Sequence, residues 1–314
     1  MTPRTRAGLR PFRPVRPGSR VALVAPASPF VREELDAGVA ELTRLGFVPV
    51  YDNSVFDREP IVAGPANRRA ESLMRALTAD DVDAVIAVRG GYGSVETLAH
   101  LDAARIADRR TAFVGYSDVT SLHTFINQRA GLTSVYGAMI DRRIARGPTA
   151  YDVASFLASL SADPIGEVAI DNGASIRGGE VEGPLFGGTL TQVVASLGTP
   201  FAFDPPAGYV LLVEDIGERP YRLRRMLVQL ASSGRLAHAA AVVIGELPNC
   251  DEGADGITGR QVMEEFFADF SGPVIVNVPA GHTNRPTLSV PLGVSVRVIA
   301  DARPRLIFDE AAAA

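Results

Sequence analysis

Ser117, Glu214 and His282 could share one hydrolytic reaction, and each stands at the end of an apolar run. Ser117 follows Ala112-Phe113-Val114-Gly115-Tyr116 and precedes Val119, Leu122, Phe125 and Ile126. Apolar residues three or four apart have helical spacing, and Gly131 stands where a helix C-cap would. Strand, sharp turn carrying a Ser, then helix is the geometry of a nucleophile elbow, which lifts the hydroxyl above the strand end. The helix N-terminus behind it offers free N–H groups and a positive dipole end to a developing oxyanion. The match to G-x-S-x-G is incomplete, because Val occupies position 119. A plain helix cap by Ser117-Asp118 is the competing reading.

Glu214 and Asp215 end the apolar run Tyr209 to Val213. Either could orient a histidine and stabilise its imidazolium. They could instead cap a helix beginning near Tyr221, or belong to a metal site, which would want more His or carboxylate partners than the sequence places. His282 sits in a loop between Val278-Pro279 and Pro286, beside Gly281, and a base working near neutral pH is usually His. A turn histidine bonding its own loop is the alternative. His100, His123 and His238 lie in or beside helical segments and read as packing or surface residues. A fourth piece, Arg89-Gly90-Gly91-Tyr92-Gly93, also follows a strand. Its N–H groups could cradle a phosphate, supply an oxyanion-hole donor, or only make a tight turn. It lacks the dinucleotide G-x-G-x-x-G spacing and follows the third strand, not the first.

The elements that must position these groups alternate. Strands are expected at 20–25, 47–50, 84–88 and 112–114, with helices at 31–45, 65–77 and after Ser94 and Ser117. Alternation of this kind indicates a parallel sheet with right-handed crossovers, and ligands bind at the carboxyl ends of such strands. The texture changes near Ile140, where glycines punctuate alternating Ile and Val. Helices follow at 189–197, 221–230 and 262–270, strands at 209–215, 240–245 and 273–278, and a closing ribbon at 290–308. The fold class expected is α/β: an N-terminal parallel-sheet, Rossmann-like domain plus a second mixed α/β domain. The divisions are a leader at 1–16, a nucleophile domain at 17–145, a linker at 146–182, and a domain with the acid and base at 183–314. The Ala311–Ala314 tail is expected to fray.

Composition removes several function classes. All 31 basic residues are Arg, so a P-loop, a pyridoxal Schiff base and a Ser–Lys dyad lack their lysine. One Cys, Cys250, excludes intramolecular disulfides and thiolate zinc sites. A net charge of −5 argues against a nucleic-acid surface. No apolar run of membrane-spanning length occurs, and the Arg- and Pro-rich N-terminus lacks the apolar core of a signal peptide, so a cytoplasmic protein with neither cofactor nor metal is expected.

Taken in order and spacing, the motifs resemble the LD-carboxypeptidases, serine peptidases that include muramoyl-tetrapeptide carboxypeptidase and the microcin C self-immunity peptidase. The resemblance spans about Pro17 to Phe308. It rests on Val24-Ala25-Pro26-Ala27-Ser28, Arg89 to Ser94, Gly115 to Asp118, Gly187-Gly188-Thr189-Leu190, Glu214-Asp215 with Tyr221 and Arg225, and Gly281-His282 with Pro291-Leu292-Gly293. It implies Ser117 as nucleophile, Glu214 as acid and His282 as base. It also implies oxyanion-hole N–H groups at Asp118 and Gly91, less surely Gly90. A two-domain fold, commonly a homodimer, and release of terminal D-alanine from recycled murein peptides are implied with them. Tyr136-Gly137-Ala138 stands where members often carry His-Gly-Pro, and Thr189 where they often have Asn. Neither position is in the implied triad, so the departures point to subsite shape. The microcin-type branch, acting on aminoacyl-nucleotide conjugates, remains open.

A carboxypeptidase must also receive a terminal carboxylate, which favours Arg. Arg89 is the candidate for it, against pairing with a nearby carboxylate such as Asp118. Outside hydrolases, a non-catalytic two-domain ligand-binding protein would suit the same layout, and a nucleotide-dependent transferase would use the glycine loop but lacks a lysine.

Overall fold

The computed structural model describes residues 4–253 and 256–314. Its first half is built by the apolar runs. Strands β1 (Arg20–Val24), β2 (Val48–Val50), β3 (Ala84–Ala87), β4 (Ala112–Gly115) and β5 (Ser134–Tyr136) run parallel in the spatial order β5-β4-β3-β1-β2. Strands β3 and β4 are buried throughout, as central parallel strands covered on both faces must be. Helices α1 (Arg32–Arg44), α2 (Ala66–Thr78), α3 (Ser94–Thr97), α4 (Ala103–Arg109) and α5 (Thr120–Gln128) form the crossovers. Full burial of side chains such as Phe113 and Val114 contributes roughly 1.5–3 kcal/mol each before entropy is charged.

The stretch 146–182, expected as a linker, is structured. It carries α6 (Val153–Leu160), β6 (Gly166–Ala169), β7 (Ala174–Arg177) and the start of β8 (Gly179–Thr189). Its alternating Ile and Val mark strands of the second sheet. That sheet adds β9 (Tyr209–Glu214), β10 (Ala239–Gly245) and β11 (Val274–Val278), which with β8 make a parallel centre. Helices α7 (Leu190–Ala195), α8 (Pro220–Ser232) and α9 (Gly259–Phe267) lie between these strands in sequence.

The closing ribbon divides between the two sheets. Strand β12 (Val290–Leu292) pairs antiparallel with β5 and so joins the first sheet. Strands β13 (Ser295–Ala300) and β14 (Arg305–Phe308) pair with each other, and β13 also pairs with β8. The second half of the chain therefore returns to cover the edge of the first sheet, next to the strand that carries Tyr136. The C-terminal tail is not frayed. Ala312 and Ala313 are buried, the Ala314 N–H donates to the Phe12 carbonyl at 2.9 Å, and Thr133 donates to the Ala312 carbonyl at 2.6 Å. Phe12 and Val15, within the expected leader, are buried as well.

Candidate active site

Ser117 sits immediately after β4 at a φ of 68°. A non-glycine residue in this left-handed region is strained, by about 1–2 kcal/mol, and it turns the chain from strand into α5 within a few residues. Gly90 lies directly against it: a Cβ there would come within 2.8 Å of the Ser117 Cβ and 3.0 Å of its Oγ. The glycine loop thus borders the serine, and any side chain at position 90 would displace it.

Asp118 does not cap its own helix. Its buried carboxylate accepts the Ser94 N–H at 2.8 Å, at the start of α3, and receives the Gln192 amide at 3.2 Å. Burial, offset by the Ser94 bonds, holds this carboxyl above the ordinary aspartate range. His123 is a packing residue that steadies the same strand end. It is fully buried and pushed down to about 4 by burial, so it stays neutral. Its Nε2 donates to the Gly115 carbonyl at 2.8 Å and its Nδ1 accepts from Ser134 at the same distance.

Glu214, at the end of β9, is completely buried. Oε2 accepts both the backbone N–H of His282 at 2.9 Å and its ring Nδ1 at 2.8 Å. Oε1 accepts the hydroxyls of Thr189 at 2.6 Å and Tyr136 at 2.5 Å. Burial alone would raise this carboxyl; the His282 charge and the hydrogen bonds outweigh it and hold it below the usual range. The same contact keeps His282 above the ordinary imidazole value, against a burial effect that would lower it. Gly281 has a φ of 71° and passes so close that a Cβ would meet the Glu214 carboxyl carbon at 2.6 Å. Only glycine lets the loop reach this far down.

The nucleophile turn and the histidine loop meet through Tyr116, whose ring packs edge-on to His282 with centroids 5.1 Å apart. Ser117 itself donates its N–H toward the Tyr136 hydroxyl at 3.4 Å. A carboxylate on Nδ1 fixes the tautomer that leaves Nε2 free to accept a proton, and the Tyr116 contact sets that ring against the residue that precedes Ser117.

Sequence reasoning did not connect two of these partners to the acid. Tyr136 and Thr189, read as subsite positions, are hydrogen-bonded to it. Sheet register is the signal: Thr189 lies opposite Glu214 between β8 and β9, and Tyr136 opposite Gly115 between β4 and β5. Tyr136 is pushed well above the ordinary tyrosine range by burial and by the Glu214 charge, so it remains a donor. Asp215 does not cap α8. It accepts the Thr191 N–H and hydroxyl at the start of α7, at 2.9 and 2.8 Å. Burial and the neighbouring Glu214 charge push it up to about 6.

Arg89 pairs with Asp141 at 3.3 Å, not with Asp118, and donates to the Pro29 carbonyl at 3.0 Å. Its loop is stapled by Ser28, whose N–H donates to the Gly90 carbonyl and whose hydroxyl receives the Tyr92 N–H, at 3.1 and 3.0 Å. Cys250 is buried, and burial pushes its thiol up to about 12, which makes it an inert packing residue. Among the described residues no group of three or more His, Cys, Asp or Glu side chains could hold a metal ion, and no helix is long and apolar enough to cross a membrane.

Comparison with known proteins gives a consistent answer. The family description "LD-carboxypeptidase N-terminal domain" matches residues 21–137, and "LD-carboxypeptidase C-terminal domain" matches residues 182–298. A murein tetrapeptide carboxypeptidase of Pseudomonas aeruginosa is 31% identical over 271 residues, 84% of this chain and 88% of the relative. The crystal structure of a muramoyltetrapeptide carboxypeptidase from Oxalobacter formigenes aligns at a TM-score of 0.82 with 29% identity, covering 93% of this chain and 99% of the other. The microcin C7 self-immunity protein MccF, solved with aspartyl sulfamoyl adenosine, aligns at 0.88 with 21% identity over 96% of this chain and 98% of its own, which shows a shared fold.

Proposed function

The chain belongs to the LD-carboxypeptidase family of serine peptidases, and from that premise we propose that it releases the terminal D-alanine of murein tetrapeptides with a Ser117–His282–Glu214 triad. The observation that carries the assignment of roles is the double grip of Glu214 Oε2 on His282, at ring Nδ1 and backbone N–H. The gripped ring packs on Tyr116, the residue before a serine held in a strained turn.

The chemistry follows from these positions. Ser117 Oγ attacks the carbonyl of the penultimate residue while His282 Nε2 takes its proton. Glu214 stabilises the imidazolium without itself becoming protonated. The tetrahedral oxyanion is received by the N–H groups of Asp118 and Gly91. Asp118 is in the first helical turn, where backbone N–H groups lack intrahelical partners. The Ser117 N–H is unsuited to this task because it faces the Tyr136 hydroxyl. The imidazolium then protonates the leaving amine of D-alanine, and water, activated by the same histidine, hydrolyses the acyl-enzyme. Arg89 is assigned to the substrate's terminal carboxylate, in competition with Asp141. Action in the cytoplasm, as a homodimer, completes the reading.

The test is mass spectrometry of a murein tetrapeptide, and separately of an aminoacyl sulfamoyl adenosine, incubated with parent protein and with Ser117→Ala. Loss of D-alanine from the tetrapeptide, abolished in the variant, is expected. Undiminished turnover by Ser117→Ala would overturn the mechanism. Cleavage of the nucleoside conjugate alone would move the substrate to the microcin branch.

A further inference from the structure

Arg143 lies in the segment between β5 and α6, outside every motif picked out from the sequence. Its guanidinium reaches the loop that carries His282. Nη2 donates to the carbonyls of Gly281 at 3.3 Å and Thr283 at 2.8 Å, the two residues flanking His282. Nη1 donates to the carbonyls of Arg285 at 3.3 Å and Ala150 at 3.2 Å. Nε donates to the Tyr116 hydroxyl at 3.3 Å, and the guanidinium carbon lies 5.9 Å from the Tyr116 ring centroid. All five N–H donors of an arginine fork are thereby engaged. Every partner is neutral. Among the described residues no carboxylate pairs directly with Arg143.

We propose that Arg143 is a positioning residue that locks the His282 loop against the nucleophile turn, and that its unpaired charge acts on the His282 imidazole. The inference rests on the reading of His282 as the general base. Two features of the arrangement favour it over a merely structural role. The guanidinium holds the carbonyl on each side of the base, so it fixes the backbone from which the ring projects. It also holds Tyr116, the residue before Ser117 and the one whose ring packs on His282. One side chain from the first half of the chain therefore sets the position of a base from the second half relative to the serine. A lysine could not copy this, because an ammonium is a point charge without the planar fork.

The groups facing His282 are Glu214 and Asp215 at the end of β9, Tyr116 from the nucleophile turn, and Arg143. Glu246 grips the far side of the loop through Thr283 and the Asn284 N–H, at 2.7 and 3.0 Å. Of these, only Arg143 places a positive charge against protonation of the imidazole.

The experiment compares parent, Arg143→Lys and Arg143→Gln in the full chain with two readouts. The first is kcat and KM on a murein tetrapeptide. The second is the titration midpoint of His282, followed by the NMR signal of its Cε1–H and assigned with His282→Gln. Both variants are expected to lose about tenfold to a hundredfold in kcat with KM within about threefold of the parent, the cost of a displaced catalytic group. The His282 midpoint is expected to rise in Arg143→Gln and to stay in place in Arg143→Lys, which keeps the charge. For Arg143→Gln, a kcat within about twofold of the parent overturns the proposal, as does a loss of kcat in that variant with an unmoved midpoint. If Arg143→Gln does not fold, Arg143→Lys decides: lowered kcat with the parent midpoint supports the lock, and parental kcat refutes it. If the parent itself cleaves neither the tetrapeptide nor the nucleoside conjugate, the hydrolase reading fails, while the midpoint comparison still tests whether Arg143 acts on His282.

Discussion

Removing the Tyr136 hydroxyl with Tyr136→Phe isolates the bond that ties the buried acid to the first half of the chain. Glu214 has four hydrogen bonds, from Tyr136, Thr189, and the ring and backbone of His282. The variant deletes one of the four at constant shape, and the Ser117 N–H loses its acceptor as well. A hydrogen bond to a charged group contributes about 1.5–3 kcal/mol, and the three remaining partners prevent a larger loss. The expected cost at pH 7 is therefore about 2 kcal/mol, or a drop of several degrees in Tm for a chain of this size. The sign with pH follows from the direction of the shift. The folded-state value of Glu214 is depressed, so its stabilisation is present above the unfolded value of 4.5 and is lost as pH falls through the folded value. Tyr136→Phe weakens that depression. Its deficit should be full above pH 4.5 and shrink in more acidic solution, followed by thermal unfolding of parent and variant between pH 3 and 8. Because Glu214 keeps its contacts to His282, kcat should fall by less than in Glu214→Gln. A Tm at pH 7 equal to that of the parent, or a deficit that grows as pH falls, would refute the claim that this hydroxyl serves an ionised Glu214.

Two further substitutions separate local geometry from chemistry. Ser117→Gly and Ser117→Ala should both be inactive, but at a φ of 68° the glycine variant should be the more stable by about 1 kcal/mol in urea unfolding; equal stabilities would mean the turn stores no strain. Arg89→Ala should raise KM for the tetrapeptide by about tenfold or more with kcat near the parent value, the loss of a charge-assisted bond. An unchanged KM would leave Arg89 as the partner of Asp141 alone.

What could be read from the sequence was the local part. The Ser117 turn, the glycine loop after β3 and the carboxylate ending β9 each follow from a run of apolar residues and what interrupts it. The fold class follows from the alternation of such runs. Pairing between distant strands leaves no mark in a single stretch. Strand β5 is only three residues long, Ser134–Tyr136, so Tyr136 carried no strand signal. Thr189 looked like the first residue of a helix, although its backbone is still strand and its register sets it opposite Glu214. Short β12, read as part of one ribbon, leaves β13 because its partner β5 is more than 150 residues earlier.

The same division explains how the site is held. The serine needs little beyond its own turn: a strained φ, the open face of Gly90, and His123 bracing the strand end. The histidine has a few bonds within its own loop, such as Arg285 N–H to the Thr283 hydroxyl at 3.0 Å, but its ring is set from afar. Its loop is shaped by Glu214 from β9 on one side, Glu246 on another and Arg143 from the first half of the chain, with Gly281 permitting the closest approach. A histidine whose ring is fixed by side chains so far away in sequence is the part most easily moved by distant substitutions. Variation at positions 136, 143 and 189 should therefore act on turnover through Glu214 and His282, and at 136 and 143 also through the Ser117 N–H and Tyr116 that those side chains hold.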